Sequence, residues 1–177
     1  MRRRLGDSEH KILAVQSNLA NAYEVLGREE EAISLREDVY SGRLKLNGEE
    51  HEMTFRAANN YADSLNRQRR FEEVKALLRK TIPVARRVLG EGDVNTLRLR
   101  WNHAKSLYQD GSATLDDLRE AVATYEEIER TARRVLGGAH PLTVDIGRGL
   151  QYARSALAAR DGDNVSAVGE ALRKAEV

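Results

Sequence analysis

Apolar residues recur at intervals of three and four along most of the chain, a spacing that places side chains on one face of an α-helix. The first run contains Ile12, Val15, Leu19, Tyr23 and Leu26, and the second contains Ala32, Leu35 and Val39. Gly27 separates the two runs, at a place where helix ends commonly take a left-handed residue. No alternating strand pattern competes with this spacing. The pattern therefore predicts an all-α fold built from helix pairs.

Glycines divide the chain into similar segments. Each of four glycines follows a stretch rich in basic residues and leucine: Gly6, Gly48, Gly90 and Gly137. These glycines lie 42, 42 and 47 residues apart. Other residues keep the same register, namely Asn18, Asn60 and Asn102, and Thr54, Thr96 and Thr143. A fixed period in this range is typical of stacked helix pairs, in which each pair buries one face against the next.

The period predicts a single array with internal boundaries. These are 1–5 as the tail of a preceding helix, 6–47 as repeat 1, 48–89 as repeat 2, 90–136 as repeat 3, and 137–177 as a degenerate repeat 4 that ends in a capping helix from about 164. The five additional residues of repeat 3 fall in a loop around 110–114, after which Thr114 and Asp117 resemble a capped helix start. We also expect Pro83 to bend the second helix of repeat 2.

Several segments resemble the 42-residue tetratricopeptide repeats of the kinesin light chain type. They are Leu19-Ala-Asn-Ala-Tyr23, Gly27-Arg-Glu-Glu-Glu-Ala32, Arg86-Arg-Val-Leu-Gly90 and Gly138-Ala-His-Pro-Leu-Thr143. The resemblance covers about residues 5–160 and implies a right-handed superhelical solenoid of antiparallel helix pairs. The chain departs from the family pattern in three ways. Only His140-Pro141 keeps the His-Pro pair, only Asn59-Asn60 keeps both asparagines, and Arg69 replaces the turn glycine of repeat 2.

Composition narrows the function classes. The chain has 29 Lys and Arg against 28 Asp and Glu, so no basic excess recommends nucleic acid or an anionic membrane. It has no cysteine, and no apolar run is long enough to span a bilayer. Asp7 follows the basic N-terminus where a signal peptide would be apolar. We therefore expect a cytoplasmic protein that binds neither nucleic acid nor membrane.

Catalytic and cofactor motifs are absent from the sequence. It contains no glycine-rich phosphate loop and no nucleophile elbow. The histidines lie in different repeats, and a structural role in the turns between helices suits them better than metal ligation: His10, His51, His103 and His140. We expect no catalytic site, no metal and no cofactor.

The resemblance implies that the first helices line a concave groove that binds a peptide segment of a partner protein. The expected groove residues flank the small packing residue of each first helix: Asn18, Asn21, Arg56, Asn59, Asn60, Asp63, Arg98, Trp101, Asn102, Lys105 and Tyr108, with Ser17, Asn66, Arg148 and Tyr152 as further candidates. An asparagine amide both donates and accepts hydrogen bonds, so it can hold a peptide backbone. The basic excess in this set favours an acidic or C-terminal segment. Packing between helices remains an alternative role for the recurring asparagines, and the core remains an alternative place for Trp101.

Two other functions remain open from the sequence. The chain could self-associate through exposed repeat edges, or it could be a regulatory region of a larger signalling protein. A non-enzymatic scaffold for a partner peptide is the function that the sequence favours.

Overall fold

The computed structural model describes the backbone of residues 2–175 and the side chains of residues 8–162. The described part of the chain contains seven helices and no strand: α1 (Arg2–Val25), α2 (Glu29–Asn47), α3 (Glu52–Arg67), α4 (Phe71–Leu89), α5 (Val94–Gln109), α6 (Leu115–Leu136) and α7 (Pro141–Ala175). This confirms the all-α prediction. The chain divides into two compact units, Met1–His103 and Ala104–Val177, each of which is described separately below.

The first unit is a layer of consecutive helix pairs. In it, α1 packs on α2, α2 on α3, and α3 on α4. Its core contains a cluster of buried residues: Ile33, Phe55, Ala58, Tyr61, Ala62, Leu65, Val74, Leu78, Ala85 and Leu99. In the second unit, α6 packs along α7. The ring of Tyr125 is fully buried there and lies 6.0 Å from that of Tyr108.

Three of the four glycines that set the period follow helix ends, as does Gly27, whereas Gly6 lies inside α1. Gly27, Gly48, Gly90 and Gly137 have φ angles of 72°, 86°, 85° and 87°, which is the left-handed region that L-residues avoid. Recurring threonines then tie the next helix to the one before it. The hydroxyl of Thr54 donates to the carbonyls of Gly48, at 2.7 Å, and Arg43, at 3.3 Å, and that of Thr96 donates to Ala85 at 3.4 Å.

The turns between repeats are built as the sequence predicts. His51 and His140 accept backbone N–H bonds from Met53 and Leu142 at Nδ1, at 3.1 and 3.2 Å. These two histidines therefore have the structural role in the turns that the sequence predicts. In the inserted loop, Thr114 and Asp117 form a reciprocal capping box at the start of α6.

The two ends of the array differ from the prediction. α1 continues through Gly6, so the expected break between a preceding helix and repeat 1 is absent, because the apolar spacing of α1 extends the helix across a single glycine. α7 is one helix of 35 residues, so the separate capping helix expected from about 164 is also absent from the described backbone. Away from the ends, α4 continues through Pro83 as one helix, so the proline does not end the helix.

Arg69 occupies the position of a turn glycine and adopts its backbone conformation. Its φ is 58°, and it is the one non-glycine residue with positive φ among the residues described.

Replacing Arg69 with glycine should raise the free energy of unfolding by about 0.5–1 kcal/mol, because the left-handed conformation is strained for an L-residue. Urea denaturation measures this change. Gly27 is the matched position one repeat earlier, and no atom lies within 4 Å of a Cβ built there, so Gly27→Ala should lower stability by about 1 kcal/mol. A loss of stability in Arg69→Gly would contradict the argument.

Candidate functional site: a cleft between the first helices of unit 1

A cleft of about 180 Å³ lies between α1 and α3, with α2 beneath it. We call it the α1–α3 cleft, and its lining residues are Leu13, Ala14, Ser17, Asn18, Val39, Arg43, Met53, Arg56, Ala57 and Asn60. Three of the expected groove residues, Asn18, Arg56 and Asn60, therefore lie together here. The side-chain amides of Asn18 and Asn60 make no hydrogen bond to any described residue, so they can receive a ligand.

Arg43 contributes the charge at the base of the cleft. Its side chain is only 4% exposed. The guanidinium lies 2.7 Å from Nδ1 of His10 and donates to the His10 carbonyl at 3.3 Å. Among the side chains that the structure describes, no carboxylate pairs with Arg43. Burial lowers the pKa of Arg43, and repulsion from Arg56 lowers it further. Two arginines thus share one cleft with no carboxylate partner among the described side chains, which is an arrangement that favours an anion.

Arg43 was not predicted as a site residue, because the basic stretch before Gly48 served only to mark the repeat. The repeat register carried a signal. Ala85 and Ala132 stand at the same position in the next two repeats, and both are completely buried. An arginine at a position where other repeats bury an alanine indicates a local difference in the first repeat. That difference is the α1–α3 cleft, which Arg43 lines.

Other predicted groove residues are used by the protein itself. Arg36 of α2 is 4% exposed and donates to Oδ1 of Asn21 at 2.5 Å, to the hydroxyl of Ser17 at 3.3 Å, and to Oε1 of Glu24 at 3.3 Å. Glu24 also accepts a 2.6 Å bond from the Ser64 hydroxyl of α3. The amide oxygen of Asn21 is therefore occupied by Arg36. Asp63 pairs with Arg67 at 3.0 Å.

The expectation that Asn102 faces a ligand is wrong, because its side chain is fully buried. Its amide donates to Oδ1 of Asn59 at 2.9 Å, while Asn66 donates to its Oδ1 at 3.2 Å and to its carbonyl at 3.1 Å. The expectation for Asn66 is also wrong, since that residue is buried as well. These three asparagines join α3 to α5, so packing between helices, the alternative kept open above, explains the asparagine of the third repeat.

The two roles of asparagine separate in one experiment. Asn102→Ala should lower the free energy of unfolding by about 1–3 kcal/mol, because it removes the donor to Asn59 and one of the two acceptors of the buried Asn66 amide. Asn18→Ala, at the same register position in an exposed setting, should change it by about 0.5 kcal/mol or less. Thermal and urea denaturation measure both. Equal losses in the two variants would contradict the division.

The remaining predicted residues are not among those that line this cleft. Arg98 is exposed on α5, and Trp101 is half-buried there. In unit 2, Lys105 and Tyr108 are half-buried, and burial raises the pKa of Tyr108. Arg148 pairs with Asp145 at 3.2 Å, and Tyr152 is exposed. A ligand-binding role for these residues stays a prediction.

The described part of the molecule offers little for other chemistry. No group of three or more histidine, aspartate or glutamate side chains within it is arranged to hold a metal ion. None of its helices combines the length and apolar character that crossing a membrane requires.

Comparisons with known proteins agree with this architecture. Residues 11–87 match the tetratricopeptide repeat family model. No curated protein sequence matches the chain. A solved structure from Podosopora anserina, described as a kinesin light chain with nearly identical TPR-like repeats, is 23% identical with a TM-score of 0.65, covering 85% of this chain and 69% of that one. A single-substitution variant of it is 22% identical with a TM-score of 0.67, covering 92% and 76%.

A third similar structure is BtubC (BKLC) from P. vanneervenii, at 17% identity and a TM-score of 0.55, covering 91% of this chain and 66% of that one. At these identities the likeness concerns the fold. The matched segment and the solved structures point to one conclusion. Residues 11–87 are similar to tetratricopeptide repeats, and the chain has the fold of the kinesin light chain-like tetratricopeptide repeat proteins.

Proposed function

We propose that this chain is a non-enzymatic scaffold that holds an acidic segment of a partner protein in the α1–α3 cleft. Tetratricopeptide repeats generally serve protein–protein interaction, and this family is typically non-enzymatic. The observation that carries the finer proposal is the burial of Arg43, without a carboxylate partner among the described residues, next to Arg56.

The chemistry of the cleft favours a carboxylate. A guanidinium presents a planar fork of donors that matches the two oxygens of a carboxylate, and such charge-assisted bonds are stronger than neutral ones. Asn18 and Asn60 stand on the two helices that flank the cleft. Their amides can donate to and accept from the backbone of an extended peptide. The arginines thus select charge, and the asparagines hold the backbone.

A carboxylate can come from an acidic side chain or from the C-terminus of the partner. A peptide array distinguishes the two sources. Each acidic sequence is printed with a free C-terminus, with an amidated C-terminus, and with glutamine and asparagine in place of every glutamate and aspartate. Loss of binding on amidation identifies a C-terminal ligand, and loss on side-chain neutralisation identifies an acidic segment.

Arg43→Gln and Arg56→Gln should each weaken capture of the best acidic peptide by about 10- to 100-fold, the equivalent of one lost charge-assisted hydrogen bond. Fluorescence polarisation measures the dissociation constants. Arg134→Gln removes the same charge from an exposed position at the end of α6 and should leave binding unchanged. Arg56 is exposed, so its variant should fold normally even if Arg43→Gln is unstable. Unchanged affinity in Arg56→Gln and in a folded Arg43→Gln would overturn the proposal.

A further inference from the structure

A stripe of apolar side chains runs along the open side of α1. We call it the α1 seam, and its residues are Ile12, Val15, Leu19, Ala22 and Leu26, all of them exposed. The four large side chains are 54%, 65%, 41% and 69% exposed in chain order. Leu26 directly follows α1 but keeps a helical hydrogen bond to the Ala22 carbonyl, at 3.0 Å. The spacing of three, four, three and four residues is that of the a and d positions of a coiled coil.

The corresponding face of α3 is an interface within the chain. Stepping one repeat from Ile12, Val15 and Leu19 leads to Thr54, Ala57 and Tyr61, which are 2%, 6% and 8% exposed. Tyr61 stacks on Tyr40 of α2, with ring centroids 6.3 Å apart. This face of α3 therefore packs against another helix of the chain, α2. On α1, no described helix covers the corresponding face.

The residues of the seam indicate which kind of helix fits. Thr54 and Thr96 use their hydroxyls to reach carbonyls of the preceding helix, and Ile12 stands at the same register position without a hydroxyl. The α1 seam is thus suited to apolar packing against another helix. It lacks the threonine hydroxyl that bonds α3 and α5 to the helix before each of them. An identical seam offers the same apolar a and d residues, which pack as knobs into holes.

Charge along the edges of the seam permits a second copy. The flanking e and g positions are held by Glu9, Lys11, Gln16, Asn18, Tyr23 and Val25. In a parallel pair Lys11 meets Gln16 of the other copy, and in an antiparallel pair Lys11 meets Val25 and Glu9 meets Tyr23. No like charges oppose each other in either orientation, so repulsion does not forbid self-pairing. A two-fold contact through one surface also closes the assembly at two copies.

We propose that two copies of this chain associate through the α1 seam to form a homodimer. This interface lies beside the α1–α3 cleft and is independent of any peptide ligand. Its apolar stripe supplies the attraction, and its flanks bring no like charges together in a symmetric pair.

Sedimentation equilibrium tests the proposal on the full chain. The wild type should be dimeric at micromolar concentration, and Val15→Lys should weaken dimerisation by at least about 100-fold, because a charge replaces a buried apolar contact. Val15 is exposed in the single chain, so the variant should keep its helical circular dichroism and melting temperature. Val135→Lys is the matched control, since Val135 is 45% exposed at the end of α6.

The chain has no cysteine, so introduced thiols report proximity without background. Val15→Cys should cross-link to a dimer with a short bismaleimide, and Val135→Cys should not. A wild type that stays monomeric at these concentrations overturns the proposal. A dimer that dissociates with Val135→Lys and survives Val15→Lys does the same, because the copies would then meet elsewhere.

Discussion

Replacing Glu24 with alanine is expected to lower the free energy of unfolding by about 3–5 kcal/mol, the range for removing one partner of a buried ion pair. The side chains of Arg36 and Glu24 are 5% and 13% exposed, and Nη2 of Arg36 lies 3.3 Å from Oε1 of Glu24. The same oxygen accepts the Ser64 hydroxyl. Alanine would leave the buried guanidinium of Arg36 without its carboxylate partner and would remove the side-chain bonds from Glu24 to α2 and α3. Urea denaturation monitored by circular dichroism measures the change.

A cross-helix ion pair on the surface provides the control. Arg154 of α7 and Glu126 of α6 lie 2.7 Å apart, with side chains 58% and 43% exposed. Glu126→Ala should cost about 1 kcal/mol or less, because solvent screens the pair. Glu24→Gln keeps acceptors for Arg36 and Ser64 and should lose less than Glu24→Ala. Similar small losses in Glu24→Ala and Glu126→Ala would show that the buried pair does not hold the first unit together.

Gly149→Ala should lower the free energy of unfolding by about 2–3 kcal/mol, although alanine is the better helix former. Gly149 lies within α7, and a Cβ built on it would come within 2.5 Å of Cε1 of Tyr125. The Tyr125 ring is fully buried, so it cannot swing into solvent to make room. Differential scanning calorimetry would detect the loss as a lower melting temperature.

Gly162 lies in the same helix, and no atom is within 4 Å of a Cβ built there. Gly162→Ala should therefore raise stability by about 0.5–1 kcal/mol through helix propensity alone. If both alanine variants gained stability, close packing of Tyr125 against Gly149 would not be the reason for the glycine.

The architecture could be predicted from the sequence because the same local signals recur in several repeats. Left-handed glycines and apolar spacing agree across repeats, and Thr54 and Thr96 make the same kind of anchor, so the helix pairs and their ends follow from these signals. The prediction failed at the ends of the array, where only one copy of the signal exists. A lone Gly6 weakens a helix by about 1 kcal/mol but does not end it.

The candidate site was harder to predict because one register position serves different purposes in different repeats. Glu24, Asn66 and Tyr108 occupy the same position. Glu24 binds Arg36 and Ser64, Asn66 binds Asn102, and the Tyr108 ring packs near Tyr125. Two of these residues were expected to face a groove, and all three contact a neighbouring helix. Side-chain type alone does not distinguish an amide that holds a ligand from one that holds a helix.

For the same reason, the roles of the two buried arginines of α2 could not be predicted from the sequence. Arg36 stands where later repeats have Leu78 and Tyr125, and Arg43 stands where they have Ala85 and Ala132. The structure shows opposite uses for them. Arg36 has a carboxylate partner in Glu24, whereas Arg43 faces the α1–α3 cleft with none among the described residues. This contrast carries the proposed function.

A nuclear magnetic resonance titration tests the central claim most directly. An acidic peptide chosen from the array is added to isotopically labelled protein, and its glutamine and asparagine counterpart is added to a second sample. The account predicts saturable shifts at backbone amides of the α1–α3 cleft, including Asn18, Arg43, Arg56 and Asn60, with the acidic peptide, and at least tenfold weaker binding with the neutral one. Shifts confined to other surfaces, or equal binding of the two peptides, would contradict it.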